Sequence, residues 1–98
     1  MYHFILNFTL TRPKDNTYKR VNAFLESRGY ERTTINTSYK IGDFDLDASC
    51  AHFFPENTDG CSEADIFERH MTIERQAFEQ FMSGEGVLYK LEIHPVLH

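Results

Sequence analysis

Three carboxylates stand at every second position, Asp43, Asp45 and Asp47, and a Cys-x-His pair, Cys50 and His52, follows at once. On an extended strand Asp45 and Asp47 share a face, about 6.5–7 Å apart, with Asp43 in the turn before them. Carboxylates so placed can hold Mg²⁺ or Ca²⁺ through oxygen ligands. With His52 or His94 they could support a metal-assisted nuclease or hydrolase. A calcium loop needs D-x-D-x-D-G and a distal Glu, and here Ala48 stands in the glycine position. The preferred reading is therefore solvated acids at the start of a strand, where like charge discourages edge pairing. No catalytic or metal site is assigned; Asp43, Asp45, Asp47 and His52 remain the alternative set.

Cys50, His52, Cys61 and His70 are ligand types for zinc, but zinc ligands come in tight pairs such as C-x₂₋₄-C, and Cys61 and His70 lack that spacing. A catalytic Cys50–His52 pair is disfavoured because i, i+2 residues on one strand point the same way with no third group to orient them. His70 falls in an apolar helical stripe and reads as a core histidine with one satisfied hydrogen bond. No cofactor is expected. There is no Gly-rich phosphate loop, no H-E-x-x-H and no G-x-S-x-G.

The elements that position these groups follow from hydrophobic period. Residues 2–10 alternate Tyr2, Phe4, Leu6, Phe8 and Leu10 against His3, Ile5, Asn7 and Thr9, a strand with one wholly apolar face. Asn16 or Thr17 can cap a helix carrying Val21, Phe24 and Leu25, and Gly29 sits where a left-handed C-terminal residue belongs. Residues 30–40 are rich in Thr, Tyr and Ile and polar on both faces, which suits an edge strand. Gly42 and Asp43 give a turn signal, and 44–54 alternate again, so 30–54 reads as a hairpin. Residues 55–61 form a loop. Ser62, followed by Glu63 and Asp65, starts a helix running to about Met82. Residues 87–94 form the last strand.

The order βαββαβ predicts a single α+β domain over 1–98: a ferredoxin-like, four-stranded antiparallel sheet with two helices on one face and the first and third strands central. One sheet face is then left bare. It would carry His3, Ile5, Asn7, Phe53, Leu88 and His94, an apolar and polar mixture suited to a homodimer interface or a ligand surface. These six are the expected binding residues. RNA recognition of the exposed-aromatic kind is not expected, because the outer face of the first strand carries no aromatic.

The 98-residue chain is 41% hydrophobic with nine Phe, five Tyr and no Trp. Its net charge of −5 argues against broad binding to nucleic acid or anionic membranes. The N-terminal MYHFILNFTL lacks a basic region and a small-residue cleavage site, and no run is long enough to span a membrane. Two cysteines in a chain that needs no staple read as free thiols, hence a cytoplasmic protein, with a Cys50–Cys61 disulfide as the lesser alternative.

The length and element order resemble the small ferredoxin-like endoribonucleases of CRISPR and toxin–antitoxin systems, over most of the chain but in topology alone. The acid that the CRISPR-associated family carries just after its first strand is missing here, since Asn7 and Phe8 stand at the matching positions. That activity is not carried over. The expectation is a non-enzymatic interaction module, homodimeric through its sheet face, with a protein or small-molecule partner. The alternatives are the metal-assisted hydrolase and a dimeric α+β barrel closing over a small apolar ligand.

Overall fold

The computed structural model describes residues 1–33, 37–57 and 59–98. The elements are β1 (Tyr2–Thr11), α1 (Thr17–Ser27), β2 (Glu31–Arg32), β3 (Ser38–Phe44), α2 (Leu46–Phe53), α3 (Glu63–Glu85) and β4 (Leu88–Leu97). The four strands form one antiparallel sheet in the order β2-β3-β1-β4. The fold is α+β, and β1 is central, as its apolar alternation implies.

Tyr2, Phe4, Leu6, Phe8 and Leu10 point from β1 into the core. They meet Val21 and Leu25 of α1 and Ile66, Phe78 and Met82 of α3. The two helices touch directly where Phe24 stacks on Phe81, centroids 4.3 Å apart. All three helices contribute to this one cluster, so they share one side of the sheet. Burying that many rings on one face supplies most of the drive to fold.

The caps explain the helix limits. Tyr30 N–H donates to Leu25 O and Gly29 N–H to Glu26 O, with Gly29 at φ 97°, closing α1 in a Schellman motif. Ser62 Oγ accepts from Asp65 N at 3.1 Å and opens α3. Gly86, at φ 68°, closes α3 three residues beyond the predicted end. At that end Arg20 of α1 grips the Glu85 carboxylate through Nε and Nη2.

The main correction is to the hairpin. Residues 44–54 are not a strand: Leu46–Phe53 is a helix, giving three helices among the described residues instead of the two predicted. Asp45 decides it, because its carboxylate accepts from Ala48 N at 2.8 Å and caps the first turn. Leu46, Ser49, Cys50 and Phe53 stand at i, i+3, i+4 and i+7, so the apolar positions fit a helix as well as a strand. The strand predicted over 30–40 shrinks to Glu31–Arg32 and the start of β3, and residues 34–36 lie outside the described residues. The turn predicted at Gly42-Asp43 is a bulge inside β3. β4 runs on through Pro95 to Leu97, which an edge strand tolerates.

Cys50 and Cys61 are joined in a disulfide, Cα–Cα 5.8 Å, so neither is a free thiol. The bridge ties α2 to the loop before α3. Among the described residues, no helix is long and apolar enough to cross a membrane.

Candidate functional site

The structure takes the Asp triplet apart. Asp45 is spent on capping α2 and Asp47 lies in its first turn. Asp43 alone stays on the sheet. Tyr2 pairs with Phe44 and Phe4 with Ile41, so Gly42 and Asp43 together oppose the single residue His3. Such a bulge kinks the strand and re-aims a side chain. Gly42 takes φ 106°, and a Cβ there would lie 2.6 Å from the Phe44 ring. Only glycine fits.

The bulge brings Asp43 over His3, and β4 delivers His98 to the same spot. His98 Nε2 lies 2.9 Å from Asp43 Oδ1, and its ring centroid is 5.0 Å from that of His3. The His98 amide donates to Met1 O at 3.0 Å, fixing the backbone there. One ligand atom from each of His3, Asp43 and His98 lies within 4.8 Å of the others. His3 Nδ1 is shut off from solvent and has no hydrogen-bond partner among the described residues. Burial holds the His3 imidazole below its usual pKa, reinforced by the charges of Lys40 and His98 and opposed by Asp43. Lys40 Nζ sits 3.8 Å from Asp43 Oδ1.

A second cluster lies on the core side. Tyr2 Oη donates to Ser49 Oγ at 2.8 Å and is 2.9 Å from His70 Nδ1. The His70 ring is boxed by Phe4, Phe44 and Phe53, at centroid distances of 4.7, 4.5 and 5.0 Å. Burial depresses its pKa; Glu74 opposes this, and Arg28 and His52 add to it. A shallow cleft of about 410 Å³, lined by Asp43, Asp45, Ser49, His52, Phe53 and His70 among others, opens above. With its one hydrogen given to Ser49, the Tyr2 oxygen accepts from His70 Nδ1–H, so Tyr2 stands between the two. His70 is therefore the hydrogen-bonded core histidine that its stripe implied, not a base on Ser49.

Comparison with known protein families, curated proteins and solved structures gave no match to this chain.

Of the six expected binding residues, five lie on β1 or β4 with their side chains away from the core. His3, Ile5 and Asn7 are half-buried, His94 is exposed, and Leu88 is 76% exposed. Ile5 pairs with His94 and Thr11 with Leu88. Phe53 is a correction: it ends α2 and packs on His70 instead of joining the sheet face. His52 likewise leaves the predicted core face and is exposed. Cys50 and His52 cannot act as a strand pair, since Cys50 is bridged and i, i+2 residues on a helix diverge. His98 was not foreseen. Its signal was the alternation Ile93, Pro95, Leu97, which continues past residue 94, where the predicted strand stops.

Proposed function

We propose that the chain is a small binding module of ferredoxin-like build that self-associates along the β4 edge of its bare sheet face. The strand order, with β1 and β3 central, supports that build. One observation carries the self-association. On β4, an edge strand of ten residues, the outward row reads Leu88, Lys90, Glu92, His94. An edge of that length is a template for another strand. A second copy running antiparallel about a two-fold at Leu91 sets Lys90 opposite Glu92 of the other copy, twice by symmetry. Leu88 then meets the histidine at the far end of the row.

Light scattering and sedimentation test this. A dimer is expected, and an 11.5 kDa monomer at high micromolar concentration overturns it. Leu88→Glu splits the dimer without unfolding the chain, because Leu88 is exposed in each copy. Lys90→Glu replaces two attractions with two repulsions. At about 0.2–1 kcal/mol for each attraction lost and each repulsion gained, the dimer weakens by about 1–4 kcal/mol, roughly 5- to 900-fold in Kd at low salt. Adding Glu92→Lys restores it.

The Cys50–Cys61 bridge supports an oxidising compartment in place of the cytoplasm that two free thiols implied. Ser49 and His70 are held by Tyr2 and the triplet is divided, which favours binding over catalysis as the role of the chain.

A further inference from the structure

We infer that His3, Asp43 and His98 form a binding site for a divalent transition-metal ion, with one coordination position left open. His3 lies on β1 and Asp43 on β3, and His98 directly follows β4, where its amide is held by Met1 O, so the sheet and that bond fix the three backbones. Tetrahedral sites with bonds of about 2.0–2.1 Å set ligand atoms about 3.3 Å apart. Here the atoms already lie within 4.8 Å of one another, and the Asp43–His98 pair is at 2.9 Å. Closing on an ion takes side-chain adjustments of the order of an ångström.

An independent observation points the same way. The buried Nδ1 of His3 has no partner among the described residues, and buried polar atoms are ordinarily satisfied. An ion lodged between the two imidazoles would satisfy it. The donor set, two imidazoles and a carboxylate, suits Zn²⁺ and its first-row neighbours, whereas Mg²⁺ and Ca²⁺ take oxygen ligands. Asp43 is what remains of the triplet after Asp45 turns to capping, so the site replaces the one expected from Asp43, Asp45 and Asp47. It shares no residue with the dimer contact, although it lies close to one end of it: His94 pairs with Ile5, two residues from His3 on β1.

Calorimetric titration of the disulfide-intact chain with Zn²⁺ tests the site. One ion per chain with micromolar or tighter Kd is expected, with no heat from Mg²⁺ or Ca²⁺ at the same concentration. Asp43→Asn and His98→Gln, both at exposed positions and checked for folding by circular dichroism, each weaken Zn²⁺ binding at least tenfold. His52→Gln, at an exposed helical position, leaves it unchanged. In parallel, nitrogen-15 spectra of the imidazoles shift for His3 and His98 on adding Zn²⁺. Binding that survives both Asp43→Asn and His98→Gln overturns the inference. So does one ion per two chains, or a Kd in the millimolar range.

Discussion

Replacing Gly42 by alanine tests the link between backbone and site most directly. At φ 106° an L-residue is strained, by roughly 1–2 kcal/mol. The new methyl would also lie 2.6 Å from two Phe44 ring carbons and 3.2 Å from Tyr2 O. The carbonyl belongs to the sheet and cannot yield, so the Phe44 ring must. That ring packs against Tyr2 and His70 at centroid distances of 5.3 and 4.5 Å. Losing one or two such aromatic contacts costs about 1–2 kcal/mol. The total is about 2–4 kcal/mol, or ~8–30 °C in Tm for a domain of this size. Thermal unfolding followed by circular dichroism measures it. Gly60→Ala is the control, since Gly60 has φ 93° but open space around it. It carries the backbone strain without the collision. If Gly42→Ala costs no more than Gly60→Ala, the collision argument is wrong and the bulge is not held by packing.

Other substitutions probe the remaining contacts. Reducing the Cys50–Cys61 bridge opens a loop with sequence separation 11, worth about 3 kcal/mol in the chain-entropy account; a Tm indifferent to reductant would show that the bridge does not form. Glu74 is 5% exposed and accepts from both Arg28 Nη2 and Tyr30 Oη. Glu74→Leu strands the guanidinium and costs about 3 kcal/mol, whereas Arg28→Met with Glu74→Leu costs less; equal losses in urea melts would contradict this. The depressed pKa of His70 makes stability depend on pH. The unfolded chain takes up the proton first, so this stability is complete above about pH 6.5 and falls as pH drops through that value. His3 acts in the same direction. The loss of Tm between pH 7.5 and 5.5 should therefore shrink, without vanishing, in His70→Phe. An unchanged slope would place the effect elsewhere.

Where sequence predicts this fold well, a single period is long enough to exclude the other. β1 alternates over ten residues and α3 keeps its stripe over 23. Their caps, Ser62 and Gly86, are where the chemistry of helix ends puts them. Residues 44–54 fail that test because the stretch is short enough for both periods to find an apolar face, Leu46 and Cys50 serving either one. The tie is broken by one hydrogen bond, from Ala48 N to Asp45. The sequence displays that aspartate, but as a member of a triplet it invites a metal reading first. The two cysteines mislead for a related reason. An i, i+2 pattern with His52 makes sense only on a strand, and on a helix Cys50 turns toward the loop and Cys61.

The bulge also explains why Asp43 faces the histidines at all. Ile41 points to the core opposite Phe4, so strict alternation would send Gly42 outward, Asp43 inward and Phe44 outward. That register would bury a carboxylate and expose a phenylalanine. The extra residue at Gly42 reverses both: Phe44 returns to the core against Tyr2, and Asp43 moves out beside His3 and His98. The hydrophobic demand of Phe44 is thus enough to select the bulge, and the carboxylate is carried with it. A carboxylate placed for packing reasons alone needs no partners. Here it meets two imidazoles, from residues 40 and 55 positions away along the chain, one with a buried nitrogen that has no partner among the described residues. Packing accounts for where Asp43 goes; it does not account for what waits there.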